Sequence, residues 1–270
     1  MVKAVQSLSG WAVRDALHEV TRSLPEEWPV ALVYDGATQA VMMCSPQDLE
    51  DFALGFSLSE GIIAGPQDVR DLEIVEHEAG SEARFWLEAG RGNALKTRRR
   101  AMAGPVGCGL CGIDSLTEAS RALPVLSGGP VFDAGEIAAG AAALRGCQPL
   151  HDQTRAVHAA GFLVPGDGLV MAREDVGRHN ALDKLIGALA RAGTDPASGA
   201  FVMTSRLSVE LVQKAAFAGC RMIVAVSAPT AHAVRQGQAA GITLAGFARD
   251  GGFDLYTHPE RVRSGGADVA

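Results

Sequence analysis

Two thiols set two residues apart, Cys108 and Cys111, stand in the run Gly107-Cys108-Gly109-Leu110-Cys111-Gly112, with glycine before, between and after them. That spacing lets both sulfurs reach one point, where they can share a metal, close a small disulfide or pass a sulfur atom on. The glycine density and the preceding Pro105 read as a loop, not a buried strand. Downstream, Ser115-Leu116-Thr117-Glu118 has the Ser-x-x-Glu form of a capping box, which sets the thiols shortly before a helix N-terminus. Its partial positive charge favours thiolate over thiol, and Lys96, Arg98, Arg99 and Arg100 upstream act in the same sense. The run also spells Gly-x-Gly-x-x-Gly, but residues 100–105 are not the hydrophobic strand that a dinucleotide fingerprint requires.

A second concentration of polar residues is Glu174-Asp175-Val176-Gly177-Arg178-His179-Asn180-Ala181-Leu182-Asp183-Lys184. His179 and Asp183 are one helical turn apart, a spacing at which the carboxylate can orient the imidazole, although a helix-start histidine held by its neighbours is the commoner reading of that pattern. Glu60, at the end of another expected helix, reads as structural. Three further stretches follow expected strands: Thr204-Ser205-Arg206, Ser227-Ala228-Pro229-Thr230, and Phe247, Ala248, Arg249, Asp250, Gly251 and Gly252. They offer hydroxyls, backbone N–H groups and two arginines, the makings of a phosphate or nucleotide cradle. His158-Ala159-Ala160 lacks the glutamate of the zinc deaminase signature, and no second Cys or His pair completes a structural zinc site. No permanently bound metal is expected.

The elements that must position these residues fall into two regimes. Residues 1–27 read as a mixed N-terminal extension. Residues 28–124 read as a smaller α+β lobe: strands around the Asp35-Gly36 turn, a helix from Ser45-Pro46 with Ser45 as cap and Leu49, Phe52, Ala53 and Phe56 as core face, and strands over 71–77 and 83–88. The cysteine loop, 104–114, belongs to this lobe, and a helix follows over about 116–123. Pro124 to Pro130 is the expected boundary, with 125–270 a C-terminal α/β lobe. That lobe opens on an alanine-rich helix over 133–146 and a hairpin around Pro165-Gly166-Asp167-Gly168. Strand and helix then alternate: 200–204, 207–218, 221–227, 230–240 and 242–248. Such alternation predicts parallel strands with crossover helices, and a ligand beyond their carboxyl ends.

Composition narrows the classes. A formal charge of −7 argues against general nucleic-acid binding. No span approaches membrane length and no signal peptide is visible, so a cytoplasmic protein is expected. The odd number of cysteines rules out a disulfide framework, and Cys44, Cys147 and Cys220 read as small buried hydrophobes.

Taken together, Cys108-Gly109-Leu110-Cys111-Gly112, the run from Glu174 to Lys184, Thr204-Ser205-Arg206, Ser227-Ala228-Pro229-Thr230, the segment from Asp48 to Ile63, and Gly246-Phe247-Ala248-Arg249 with Tyr256 to Arg261 resemble the FdhD family across about residues 28–262. The resemblance implies a cytidine-deaminase-like α/β sandwich with a mixed sheet and no deaminase chemistry. It also implies a sulfur carrier required for formate dehydrogenase. Cys108 would hold a persulfide taken from a cysteine desulfurase, with Cys111 as auxiliary thiol. The sulfur would pass to the molybdenum bis-guanine-dinucleotide cofactor, bound at Phe247 to Gly252, with a guanine nucleotide able to mimic it. Thr204, Ser205, Arg206, Ser227, Thr230, Arg178 and His179 are weaker candidates for that site. The family is described as homodimeric. A dithiol oxidoreductase and a non-catalytic cofactor chaperone stand as the alternatives.

Overall fold

The computed structural model describes residues 2–88 and 122–264. The basic run 96–100, the cysteine loop 104–114 with Cys108 and Cys111, and nearly all of the helix expected over 116–123 lie outside the described residues.

The chain opens with an antiparallel hairpin, β1 (Val5–Val13) and β2 (Leu17–Pro25). Its alternation is faint in sequence because neither face is buried, so nothing selects a clean apolar side. A four-stranded sheet follows, built from β3 (Trp28–Tyr34), β4 (Ala37–Cys44), β5 (Val69–His77) and β6 (Gly80–Leu87), in the order β4-β3-β6-β5. Asp35 and Gly36 both take positive φ, the geometry that a two-residue hairpin turn demands. Helix α1 (Leu49–Ser59) packs Phe52 and Phe56 against Val30, Leu32, Ala83 and Phe85 of this sheet. α1 begins later than the sequence suggested. Asp48 occupies the N-cap position, and Ser45 is drawn instead to Asp175 and Val176.

The larger sheet begins after β7 (Phe132–Asp133), α2 (Ala134–Gly146) and the short α3 (Pro149–Thr154). Its first two strands form the hairpin β8 (His158–Val164) and β9 (Gly168–Asp175). Helix α4 (Arg178–Arg191), β10 (Ala200–Met203), α5 (Val209–Ala218), β11 (Met222–Ala225), α6 (Ala231–Ala240), β12 (Thr243–Arg249) and β13 (Gly252–Thr257) complete it; β14 (Val262–Arg263) returns to pair with β7. The order is β13-β12-β11-β10-β8-β9, with β10, β11 and β12 parallel and the outer pairings antiparallel. The fold is thus mixed α/β, with mixed sheets. β10 and β11 are buried along their whole length, because α2 covers one face and α4, α5 and α6 the other. Burying Phe162 and Phe201 in that core contributes about 1.5–3 kcal/mol each.

The two sheets are tied by α1 crossing α4. Gly55 and Gly187 meet there so closely that a Cβ on either would overlap backbone of the other helix. Cys44 and Cys220 are buried as expected, but Cys147 is exposed, because it ends α2 at the surface, where that helix gives way to α3. No helix among the described residues is long and apolar enough to cross a membrane.

Candidate functional site

The parallel strands β10, β11 and β12 end at one edge of the sheet, and a pocket of about 870 Å³ opens there. Thr204 follows β10, Val226 follows β11, and Ala248, Arg249, Asp250 and Gly251 close β12 and its turn. From the α2 side come Arg145, and then Gln148, His151, Arg155 and His158. Three arginines and two histidines face one aspartate across this lining, although the whole chain is acidic. Asp152 offsets part of that charge, since Arg145 pairs with it at 2.5 Å and Arg155 approaches to 4.0 Å. The balance still favours an anionic ligand.

Of the residues expected to bind cofactor, Thr204, Ala248, Arg249, Asp250 and Gly251 line the pocket. Phe247 and Gly252 flank it, Phe247 with a positive φ and its N–H donated to the Ser227 carbonyl. Ser205, Arg206, Ser227 and Thr230 are not in the lining. Ser205 donates to the Arg206 carbonyl, and the Thr230 hydroxyl caps α6 by accepting from the Ala233 N–H. Arg145, His151 and Arg155 were missed in the sequence. Arg145 stands in α2, His151 within the short α3 and Arg155 just after it, all away from the strand ends, and the only available signal was their basic charge in an acidic chain.

The polar run from Glu174 to Lys184 resolves mainly into structural work. Glu174 accepts from the Leu150 and His151 N–H groups at 2.7 and 2.8 Å, holding the first turn of α3 and so the His151 position. Asp175 and Lys184 form a fully buried ion pair at 2.7 Å. Lys184 also donates to the Ser45 carbonyl, and Asp175 accepts from the Ser45, Gly177 and Asn180 nitrogens. Asn180 donates to the Met43 carbonyl. These bonds clamp the end of β4 onto the start of α4.

Asp183 does not orient His179. It accepts from Ser59 at 2.6 Å and from Lys214 at 3.0 Å, because its position on α4 faces α1 and α5. Lys214 also binds Glu60 at 2.8 Å, which gives Glu60 the structural role expected of it. Burial works to lower the Lys214 pKa, but the charges of Asp183 and Glu60 overcome it and raise the value, so the ammonium stays charged. His179 instead lies 3.9 Å from Glu210 on α5, and it holds that carboxyl down to about 2.

His158 lines the pocket, whereas Arg178 and His179 are not in the lining and reach His158 only through their charge. Burial lowers its pKa below the ordinary 6.5, and the nearby charges of Arg178, His179 and His151 push in the same direction. The neutral imidazole is therefore the folded-state form. Its contribution to stability is complete above pH 6.5 and is lost as pH falls through the depressed folded value. In an NMR titration the His158 ring should show a midpoint below 6.5; a midpoint at or above that value would contradict the assignment.

A family model described as the FdhD/NarQ family matches residues 25–263. Among curated relatives, a protein from Agrobacterium fabrum (strain C58 / ATCC 33970) named "Sulfur carrier protein FdhD" is 48% identical over 268 residues, covering 97% of this chain and 99% of its own length. A relative of the same name from Bordetella petrii is 50% identical over 88% of this chain and 86% of its own. The crystal structure of a protein assigned as a formate dehydrogenase accessory protein, from Desulfotalea psychrophila, superposes with a TM-score of 0.77 at 22% identity. It covers 97% of this chain and all of its own, and shows the fold.

Proposed function

This chain belongs to the FdhD/NarQ family, and we propose that it is a sulfur carrier serving formate dehydrogenase. The observation that carries this reading is the end-to-end likeness to relatives named as sulfur carriers, with the Cys-x-x-Cys run present at 108–111. The Cys108 thiolate attacks the terminal sulfur of a cysteine desulfurase persulfide; an S–S bond forms on Cys108 and the desulfurase leaves as thiolate, with no net redox change. For release, Cys111 attacks the inner sulfur of the Cys108 persulfide. A Cys108–Cys111 disulfide forms, the outer sulfur leaves reduced as sulfide, and a thiol reductant restores the pair.

The substrate that takes this sulfur is the molybdenum bis-guanine-dinucleotide cofactor. The basic pocket at the ends of β10 to β12 supports that choice, because Arg145, Arg155 and Arg249 suit its phosphates. The reading brings with it a cytoplasmic homodimer. It also brings a cytidine-deaminase-like account of the six-stranded sheet, stripped of deaminase chemistry because Ala160 stands where the proton-shuttling glutamate would be.

Formate dehydrogenase maturation in cells carrying Cys108→Ala or Arg249→Gln tests the reading. A sulfur carrier loses maturation with Cys108→Ala. A chaperone with incidental thiols keeps it and loses it only with Arg249→Gln. An oxidoreductase instead reduces unrelated disulfides with no need for the cofactor.

A further inference from the structure

Helix α3 begins without help from its own N-cap residue. Gln148 holds that position, yet its side chain makes no capping bond. The first turn of α3 has nothing left to cap. Pro149 has no N–H, and Glu174 accepts the two that follow, from Leu150 at 2.7 Å and from His151 at 2.8 Å. A carboxylate from β9 thus does what an N-cap side chain ordinarily does, and the Gln148 amide is released from that task. Gln148 is nevertheless only 2% exposed, and among the described residues its amide has no hydrogen-bond partner. Native proteins leave few such groups unpaired, because each forfeits the bonds it had with water. What Gln148 borders is the pocket at the ends of β10 to β12, on the wall that also carries Arg145, His151 and Arg155. Ala138, Ala141 and Ala142 of α2 make the adjoining lining apolar, so they offer the amide no partner either.

The depth of the position explains the choice of an amide. An unpaired ammonium or guanidinium buried this far would carry a heavy desolvation cost, whereas an amide brings two N–H donors and no charge. Arg145 and Arg155, about half exposed or more, supply the charge that draws an anion in. The buried amide then supplies a directed donor to one of its oxygens, and a hydrogen bond to a charged acceptor is the strong kind. We propose that Gln148 is a specificity-determining residue of this pocket, its NH2 group donating to a phosphate oxygen of the bound ligand. This rests on the reading of the pocket as the seat of the cofactor's phosphates, and it adds a neutral donor to the arginines named there.

Inorganic pyrophosphate titrated into the full chain and followed by calorimetry tests it. Gln148→Leu should weaken binding about tenfold, the effect of one hydrogen bond to a charged group. Gln148→Glu keeps the shape but sets a carboxylate against the phosphate, and should weaken binding further still. The melting temperature separates this role from a structural one. Because the amide satisfies nothing within the protein, Gln148→Leu should melt no lower than the unmodified chain. A lowered melting temperature in that variant would make the amide a structural group and overturn the assignment. Affinity unchanged in Gln148→Leu while Arg249→Gln loses it would overturn the assignment and spare the phosphate pocket. No pyrophosphate binding by the unmodified chain would overturn the pocket reading and the assignment together.

Discussion

Replacing Gly187 with alanine should destabilise the fold by about 3 kcal/mol or more, the upper range for overpacking. The added methyl would overlap the Asp51 carbonyl of α1, and the mirror-image change at Gly55 would overlap the Asp183 carbonyl of α4. Neither clash can be relieved by turning a side chain, because both involve backbone. The helices must move apart, and that motion strains everything their crossing holds: the Asp51 pairs with Arg173 and Arg191, the Ser59–Asp183 bond, and the Ser45–Asp175–Lys184 clamp. Urea unfolding should show a lowered midpoint for either variant. An unchanged midpoint would mean that α1 and α4 do not cross at these glycines.

Lys214→Met should cost about 3–5 kcal/mol, the usual effect of removing one partner from a buried ion pair. Lys214 is nearly buried, and it satisfies Asp183, Ser59 and Glu60 together. Methionine keeps much of the volume, so packing is largely conserved and the loss reports the stranded Asp183 carboxylate. The deficit should shrink as pH is lowered, because protonating Asp183 removes the uncompensated charge. A deficit independent of pH would point to packing alone. The double variant Lys214→Met with Asp183→Leu should recover most of the loss.

These two effects mark what could and could not be read ahead of the structure. The apolar face of α4, Leu182, Leu185, Ile186 and Leu189, follows from its spacing and is buried. The alternation of β10 to β12 with α5 and α6 follows from runs of apolar residues split by small-residue turns. Thr204 and the segment from Ala248 to Gly251 reach the pocket because strand ends share one edge of a parallel sheet. Partners far apart in sequence were out of reach. Asp183 has His179 one turn away and Lys214 on another helix, and only the packing of α4 on α5 selects Lys214. Gly55 and Gly187 look unremarkable in a helical pattern until two backbones meet. The hairpin β1–β2 was missed because its faces are both exposed and its alternation is weak.

Sulfur on Cys108 is the claim beneath the rest. The full chain incubated with a cysteine desulfurase and cysteine, digested without reductant and examined by mass spectrometry, should yield the loop peptide carrying one extra sulfur atom. Fragmentation should place that atom on Cys108, and the peptide from Cys108→Ala should lack it. A Cys108 that stays unmodified while the desulfurase is charged would contradict the account.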